Sequence, residues 1–211
     1  MEPMASAREK NIKIRKRPTQ KRSAERVDRI LLYAARIVEE VGIEEFSTNE
    51  ISRRSGVTIG SIYHFFPNKE AIIHELCVRW LDKITDKYIE FERLRLNGED
   101  TELYWGSLVD SLLSGYRETP AVHAVTRAIA IWPDIHELDV QYDETALVRV
   151  GSYLRETGVT ASKREMRRLS KVVLNMLHHL IMLAIDSSEK DAKKIRDDLV
   201  SSLQRLTERY Q

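Results

Sequence analysis

Only 8 glycines and 5 prolines interrupt the 211 residues, and apolar side chains recur at three- and four-residue spacing almost throughout. No stretch alternates with period two. A chain patterned in this way has helices as its regular structure, so the expected fold is all-α with about nine helices. The first, over 23–41, carries Val27, Ile30, Leu31, Ala34, Val38 and Val41 as one stripe and stops at Gly42. Ser47, with Glu50 three residues on in a capping-box arrangement, opens a short second helix. Ser55-Gly56-Val57 is a tight turn, and Thr58 caps a short third helix that ends before Pro67. Asn68 then caps a long fourth helix, whose Ile72, Ile73, Leu76, Trp80, Ile84, Tyr88 and Phe91 mark a buried face.

Asn97-Gly98-Glu99-Asp100 is the clearest loop of the body, and a fifth helix is expected over about 101–118. Thr119-Pro120 has the signature of an N-cap and first helical residue for a sixth, ending at Trp132-Pro133. Asp134 would cap a seventh that stops near Gly158. Ser162 and Glu165 form a second capping box, opening an eighth helix through about residue 185, and a ninth begins near Ser188.

Composition narrows the function classes. A single cysteine, Cys77, rules out an internal disulfide framework and any multi-cysteine metal site within one chain, and no cofactor is expected. The most apolar run, 172–185, contains Asn175, His178 and His179 and is shorter than the roughly 20 apolar residues a bilayer span needs. The N-terminus has basic residues but no apolar core of a secretory signal, so a cytoplasmic protein is expected.

The formal net charge is +1, which taken alone argues against a nucleic-acid binder. Residues 8–29, however, hold ten basic side chains against three acidic ones, whereas 71–211 hold 20 against 23. A basic arm therefore precedes a mildly acidic body. Such an arm suits a polyanion, since neutralising phosphates releases counterions; a solubilising tail is the other reading.

The segment after the arm decides between the two. Residues 46–69, FSTNEISRRSGVTIGSIYHFFPNK, describe two short helices around a glycine-containing turn. This is a helix-turn-helix, whose second helix can enter a DNA major groove. Ile51, Val57, Ile62 and Phe65 can hold the two helices together, leaving Thr58, Ile59, Gly60, Ser61, Tyr63 and His64 outward. Gly60 and Ser61 permit close approach, and Tyr63 and His64 can reach phosphates or base edges. Ser47 or Thr48, and Asn68-Lys69, open helices whose free N–H groups suit phosphate oxygens.

The run RILLYAARIVEEVGIEEFSTNEISRRSGVTIGSIYHFFPNKEAIIHEL resembles the N-terminal domain of the tetracycline-repressor (TetR) family. The resemblance rests on a first helix ending in Gly, then Ser/Thr, Gly-Val in the turn, a Gly-Ser-Ile-Tyr recognition helix, an aromatic pair and a Lys opening the fourth helix. It implies a ligand-responsive homodimeric repressor of a palindromic operator, released by a small molecule. By position, Thr58, Ile59, Gly60, Ser61, Tyr63 and His64 would contact the groove and phosphates, with Thr48 and Lys69 on the backbone. Lys13, Arg15, Lys16 and Arg17 would reach the minor groove or flanking phosphates. His64 occupies a position that varies in the family, so base preference does not carry over. The implied organisation is a basic arm over 1–22, a three-helix DNA-binding domain over 23–70, and an effector-binding and dimerisation domain over 71–211.

In that body, the last two helices are the expected dimer interface. Leu169, Val172, Val173, Met176, Leu177, Leu180, Ile181 and Ala184 cover a wide face, with Ile195, Leu199, Leu203 and Leu206 as a narrower stripe; two such pairs would close a four-helix bundle. The same residues also suit an internal core. Candidate effector-pocket residues are Trp80, Tyr88, Trp105, Leu108, Leu112, Tyr116, His123, Arg127, Trp132, Asn175, Met176 and His179, though each taken singly suits a core or interface better than a ligand contact. His74-Glu75-Leu76-Cys77 lacks the second histidine of a metalloprotease helix, and no phosphate loop or nucleophile elbow is present. An enzyme is therefore not expected. A DNA-associated protein without a small-molecule ligand remains the alternative.

Overall fold

The computed structural model describes residues 12–95 and 104–211, with no strand among them. Among the described residues nine helices run in the order α1 (Lys21–Glu45), α2 (Thr48–Ser55), α3 (Ile59–Phe65), α4 (Lys69–Arg95), α5 (Tyr104–Arg117), α6 (Val122–Ile131), α7 (Pro133–Glu156), α8 (Lys163–Ile185) and α9 (Glu189–Glu208). The expected loop at residues 97–100 and the arm's residues 1–11 lie outside the described residues.

Helix boundaries follow local chemistry. Gly42 breaks α1 with φ 81° and ψ 170°, a conformation open essentially to glycine alone. The Ser47 side chain caps α2 by accepting the Glu50 N–H. Glu50 does not complete a capping box, because its carboxylate is taken by Arg53 and Arg54 instead. Gly56, at φ 71°, ends α2 in the left-handed region and donates its N–H to the Ser52 carbonyl. Thr58 caps α3 and Asn68 caps α4, accepting the N–H groups of Ser61 and Ala71. Ser162 and Glu165 do form the reciprocal box at the start of α8.

Two expected starts move. The sixth helix opens at Val122, not at Thr119-Pro120: its N-cap is Ala121, held at φ 59°, and the Ala121 N–H is captured by the Glu39 carboxylate of α1. Pro133, not a capping Asp134, begins α7, which places Asp134 inside the first turn.

The described residues divide into two compact units, one within Met1–Leu81 and Thr119–Asp139, the other within Asp82–Glu118 and Val140–Gln211. In the first, α1 packs on α2 and α6, and α2 on α3. Ile30, Ile37, Phe46, Ile51, Ile62, Phe66, Ile72 and Ile73 fill its interior. In the second, α5, α8 and α9 pack on one another around Leu108, Leu112, Val173, Leu177, Leu199 and Leu203. By length and hydropathy α8 is long and apolar enough to cross a membrane. Its Met166, Leu169, Val173, Leu177, Ile181 and Ala184 are nonetheless buried within this second unit.

Candidate DNA-binding site

In the first unit, Val57, Ile51, Ile62 and Phe65 are all buried, as the inward positions of a helix-turn-helix require. Burying two residues of a seven-residue helix fixes its rotation. Thr58, Ile59, Gly60, Tyr63 and His64 are consequently exposed, with Ser61 half-exposed. A Cβ at Gly60 would meet nothing within 4 Å, so this helix face is open to close approach.

Beside α3 lies a cleft of about 470 Å³, lined by Glu44, Glu45, Phe46, Ser47, Thr48, Tyr63, Pro67, Asn68, Lys69 and Glu70. The cleft brings together three of the residues expected to touch DNA: Thr48, Tyr63 and Lys69. The hydroxyls of Thr48 and Tyr63 share a hydrogen bond of 3.1 Å. Lys69 donates from Nζ to the carbonyls of Glu44, at 3.1 Å, and Phe46, at 3.4 Å. Its ammonium thus steadies the turn between α1 and α2 as well as marking the start of α4. Three carboxylates, Glu44, Glu45 and Glu70, share this cleft, and they temper its attraction for polyanions.

A second electrostatic group was not legible as such in the sequence. Glu50 binds Arg53 and Arg54 together, and Arg54 also bridges to Glu40 of α1. Hydrogen bonds from the two guanidinium groups hold the Glu50 carboxyl at about 2, well below its ordinary range. The i, i+3 and i, i+4 spacings were the available signal.

Of the arm, Lys13, Arg15, Lys16 and Arg17 are exposed, whereas Ile12, Ile14 and Pro18 are half-buried. Arg15 differs from its neighbours in being bonded to the last turn of α3, through its backbone N–H and its guanidinium.

Residues 30–76 match the family described as bacterial regulatory proteins, tetR family, and residues 103–210 match tetracyclin repressor-like, C-terminal domain. The chain belongs to the TetR family. It is a transcription regulator of that family with a DNA-binding helix-turn-helix, as the sequence resemblance anticipated. Among curated proteins, it is 30% identical over 105 residues to the HTH-type transcriptional repressor KstR2 of Rhodococcus jostii (strain RHA1). That match takes in 50% of this chain and 47% of the relative, so the chain spans about half the length of the curated relative it matches. A transcriptional regulator from Rhodococcus sp. Rha1 shares the fold, with a TM-score of 0.67 and 22% identity over 87% of this chain and 95% of that one. A TetR-family regulator from Streptomyces coelicolor does so with a TM-score of 0.61 and 24% identity, over 88% and 99% of the two chains.

The residues expected to form a TetR effector pocket are divided between the two units. Trp80, His123, Arg127 and Trp132 belong to the first unit, and Tyr88, Trp105, Leu108, Leu112, Tyr116, Asn175, Met176 and His179 to the second. His123, Arg127, Asn175 and His179 are exposed. Asn175 and His179 turn back on their own helix, bonding to the carbonyls of Lys171 and Asn175. Tyr88, Trp105, Leu108, Leu112 and Tyr116 are buried in the second unit. The inward imidazole there is His178, one position from the residue expected: its Nδ1 lies 2.7 Å from the Tyr116 hydroxyl. Burial, with the neighbouring His179 charge, holds His178 at about 4. The Trp105 indole N–H is buried without a hydrogen-bond partner. Glu92, Arg149 and Tyr153 also went unforeseen; Tyr153 and Arg149 of α7 both donate to the Glu92 carboxylate of α4.

The expected dimer residues also separate. Leu169, Val173, Leu177, Ile181, Ala184, Leu199 and Leu203 are buried inside the second unit, where α8 meets α5 and α9, so their side chains are not offered to a second chain. Met176, Leu180, Ile195 and Leu206 are half-buried. Val172, 39% exposed, and Leu183, 52% exposed, extend the Met176 and Leu180 stripe along α8.

Proposed function

We propose that this chain is a homodimeric repressor of a palindromic DNA operator, released by a small molecule, and that it works in the cytoplasm. The observation that carries the reading is the rotation of α3: Ile62 and Phe65 are buried, and Thr58, Ile59, Gly60, Tyr63 and His64 stand outward as a continuous face. Major-groove readout needs such a face on a helix whose other side is fixed. Repression is supported by the name of the Rhodococcus jostii relative.

Two recognition helices must meet half-sites about one helical turn apart, roughly 34 Å, which makes a second copy necessary. The outer stripe of α8, formed by Val172, Met176, Leu180 and Leu183, is the surface assigned to it, with Ile195 and Leu206 of α9 alongside. The effector is assigned to the aromatic interior of the second unit. There Trp105 offers a buried N–H donor, and Tyr116 with His178 forms a polar pair that can orient a largely apolar ligand. A ligand releases DNA only if it prefers the state that binds DNA less well.

Selection from a random-sequence duplex library with the full-length chain tests the reading. Enrichment of a two-fold-symmetric sequence is expected, with loss of enrichment for Tyr63→Ala. Enrichment of no sequence would sink it.

A further inference from the structure

The segment leading into α1 is tied to the last turn of α3. The Arg15 backbone N–H donates to the Phe65 carbonyl at 2.7 Å, and the Arg15 Nη1 donates to the Tyr63 carbonyl at 3.2 Å. Carbonyls in the last turn of a helix have no following helical N–H to receive. Both acceptors here belong to that turn, and a guanidinium placed there also meets the negative end of the helix.

The rest of the segment is docked along its apolar side. Ile12, Ile14 and Pro18 are half-buried, while Lys13, Lys16 and Arg17 point their charges outward. The charge of Lys13 reaches the buried His74 in the second turn of α4. It adds to burial in holding that imidazole below its ordinary range, against the opposing pull of Asp134.

We infer that Arg15 is a positioning residue for DNA recognition: it caps α3 and clasps the arm to it, so that Lys16 and Arg17 belong to the same fixed surface as Tyr63 and His64. Arg15 itself does not need to touch DNA. This differs from the expectation that Arg15, Lys16 and Arg17 all serve as free-arm contacts, and it rests on α3 being the recognition helix. A helix of seven residues draws its order from packing and caps, not from its own length. Fixing it and the arm before DNA arrives removes an ordering cost from binding. Without the clasp, Lys16 and Arg17 still reach phosphates, but from a loose tether.

The test uses the full chain with Arg15→Ala, Arg15→Lys and Arg17→Gln, and a duplex that the wild-type protein selects from a random-sequence library. In the DNA-free protein, Arg15→Ala should speed amide hydrogen exchange in residues 14–17 and in the last turn of α3. Arg15→Lys should restore part of that protection, and Arg17→Gln should leave it unchanged. On the selected duplex, Arg15→Ala should weaken binding about threefold to tenfold, the scale of one or two net hydrogen bonds. Its slope of log affinity against log salt should stay within about half a unit of wild type, whereas Arg17→Gln should lower it by about one.

A loss of about one unit of slope in Arg15→Ala, with exchange unchanged, would make Arg15 an ordinary phosphate contact and overturn the role. Unchanged affinity would overturn it too. Selection of no duplex would overturn the DNA-binding reading and this role with it. A selected duplex together with an indifferent Arg15→Ala would overturn the role alone.

Discussion

The Tyr63 hydroxyl stands 3.1 Å from the Thr48 Oγ1, so the outward face of α3 and the first residue of α2 are joined by one hydrogen bond. Tyr63 is 43% exposed and Thr48 buried, which leaves the ring free for DNA while its tip is held. Tyr63→Phe keeps the ring and loses the tether. Its affinity for the selected duplex should fall about threefold to tenfold, and its unfolding free energy by about 1 kcal/mol or less. Fluorescence anisotropy and urea titration measure the two; an unaltered affinity would show that the Thr48–Tyr63 tether contributes nothing to DNA binding.

Salt should act strongly on the complex. Each phosphate neutralised contributes about 0.9 to the slope of log affinity against log salt. Lys69→Met should lower that slope by about one and also the melting temperature, since Lys69 braces the carbonyls of Glu44 and Phe46. A variant that changes melting but not slope would show Lys69 to be structural only.

The burial of His178 makes stability depend on pH. In the folded chain His178 titrates near 4, against about 6.5 when unfolded. Between those values the unfolded state binds the extra proton, so stability rises with pH and is lost as pH falls from about 6.5 towards 4. The loss should reach about 3 kcal/mol. His74, lowered chiefly by burial, acts with the same sign. His178→Gln should flatten the profile of urea midpoint against pH across this window; an unchanged profile would contradict the burial of a neutral ring.

If the proposed dimer forms through the outer stripe of α8, Leu183→Glu, alone or with Val172→Glu, should yield monomers, because both side chains are exposed within one chain and would meet like charges across the two-fold axis. Sedimentation velocity reads the mass, and circular dichroism should show the helices retained. A dimer surviving the double substitution would move the interface elsewhere.

Much of this was legible in residue spacing. The caps at Thr58, Asn68 and Ser162 and the breaks at Gly42 and Gly56 depend on local geometry, which a sequence displays directly. The same holds for the inward set Ile51, Val57, Ile62 and Phe65. The start of α6 was not legible, because its N-cap is fixed by Glu39, 82 residues away. The division of α8 also escaped: Val173 and Leu177 face its own unit while Val172 and Leu183 do not, and a wide apolar stripe does not say which edge a second chain covers. Asn175 and His179 looked like pocket groups because polar residues interrupt an apolar run, yet the rotation of α8 turns them outward and His178 inward.

Glu50 holds both Arg53 and Arg54, so two of the cations nearest α3 in sequence are already spoken for before any phosphate arrives. One codon controls that arrangement. Changing Glu50 to a neutral residue would release the Arg53 guanidinium, leave Arg54 held by Glu40 alone, and leave the reading face of α3 untouched. Descendants of such a chain could thus gain or shed general grip on DNA in a single step while keeping the same address.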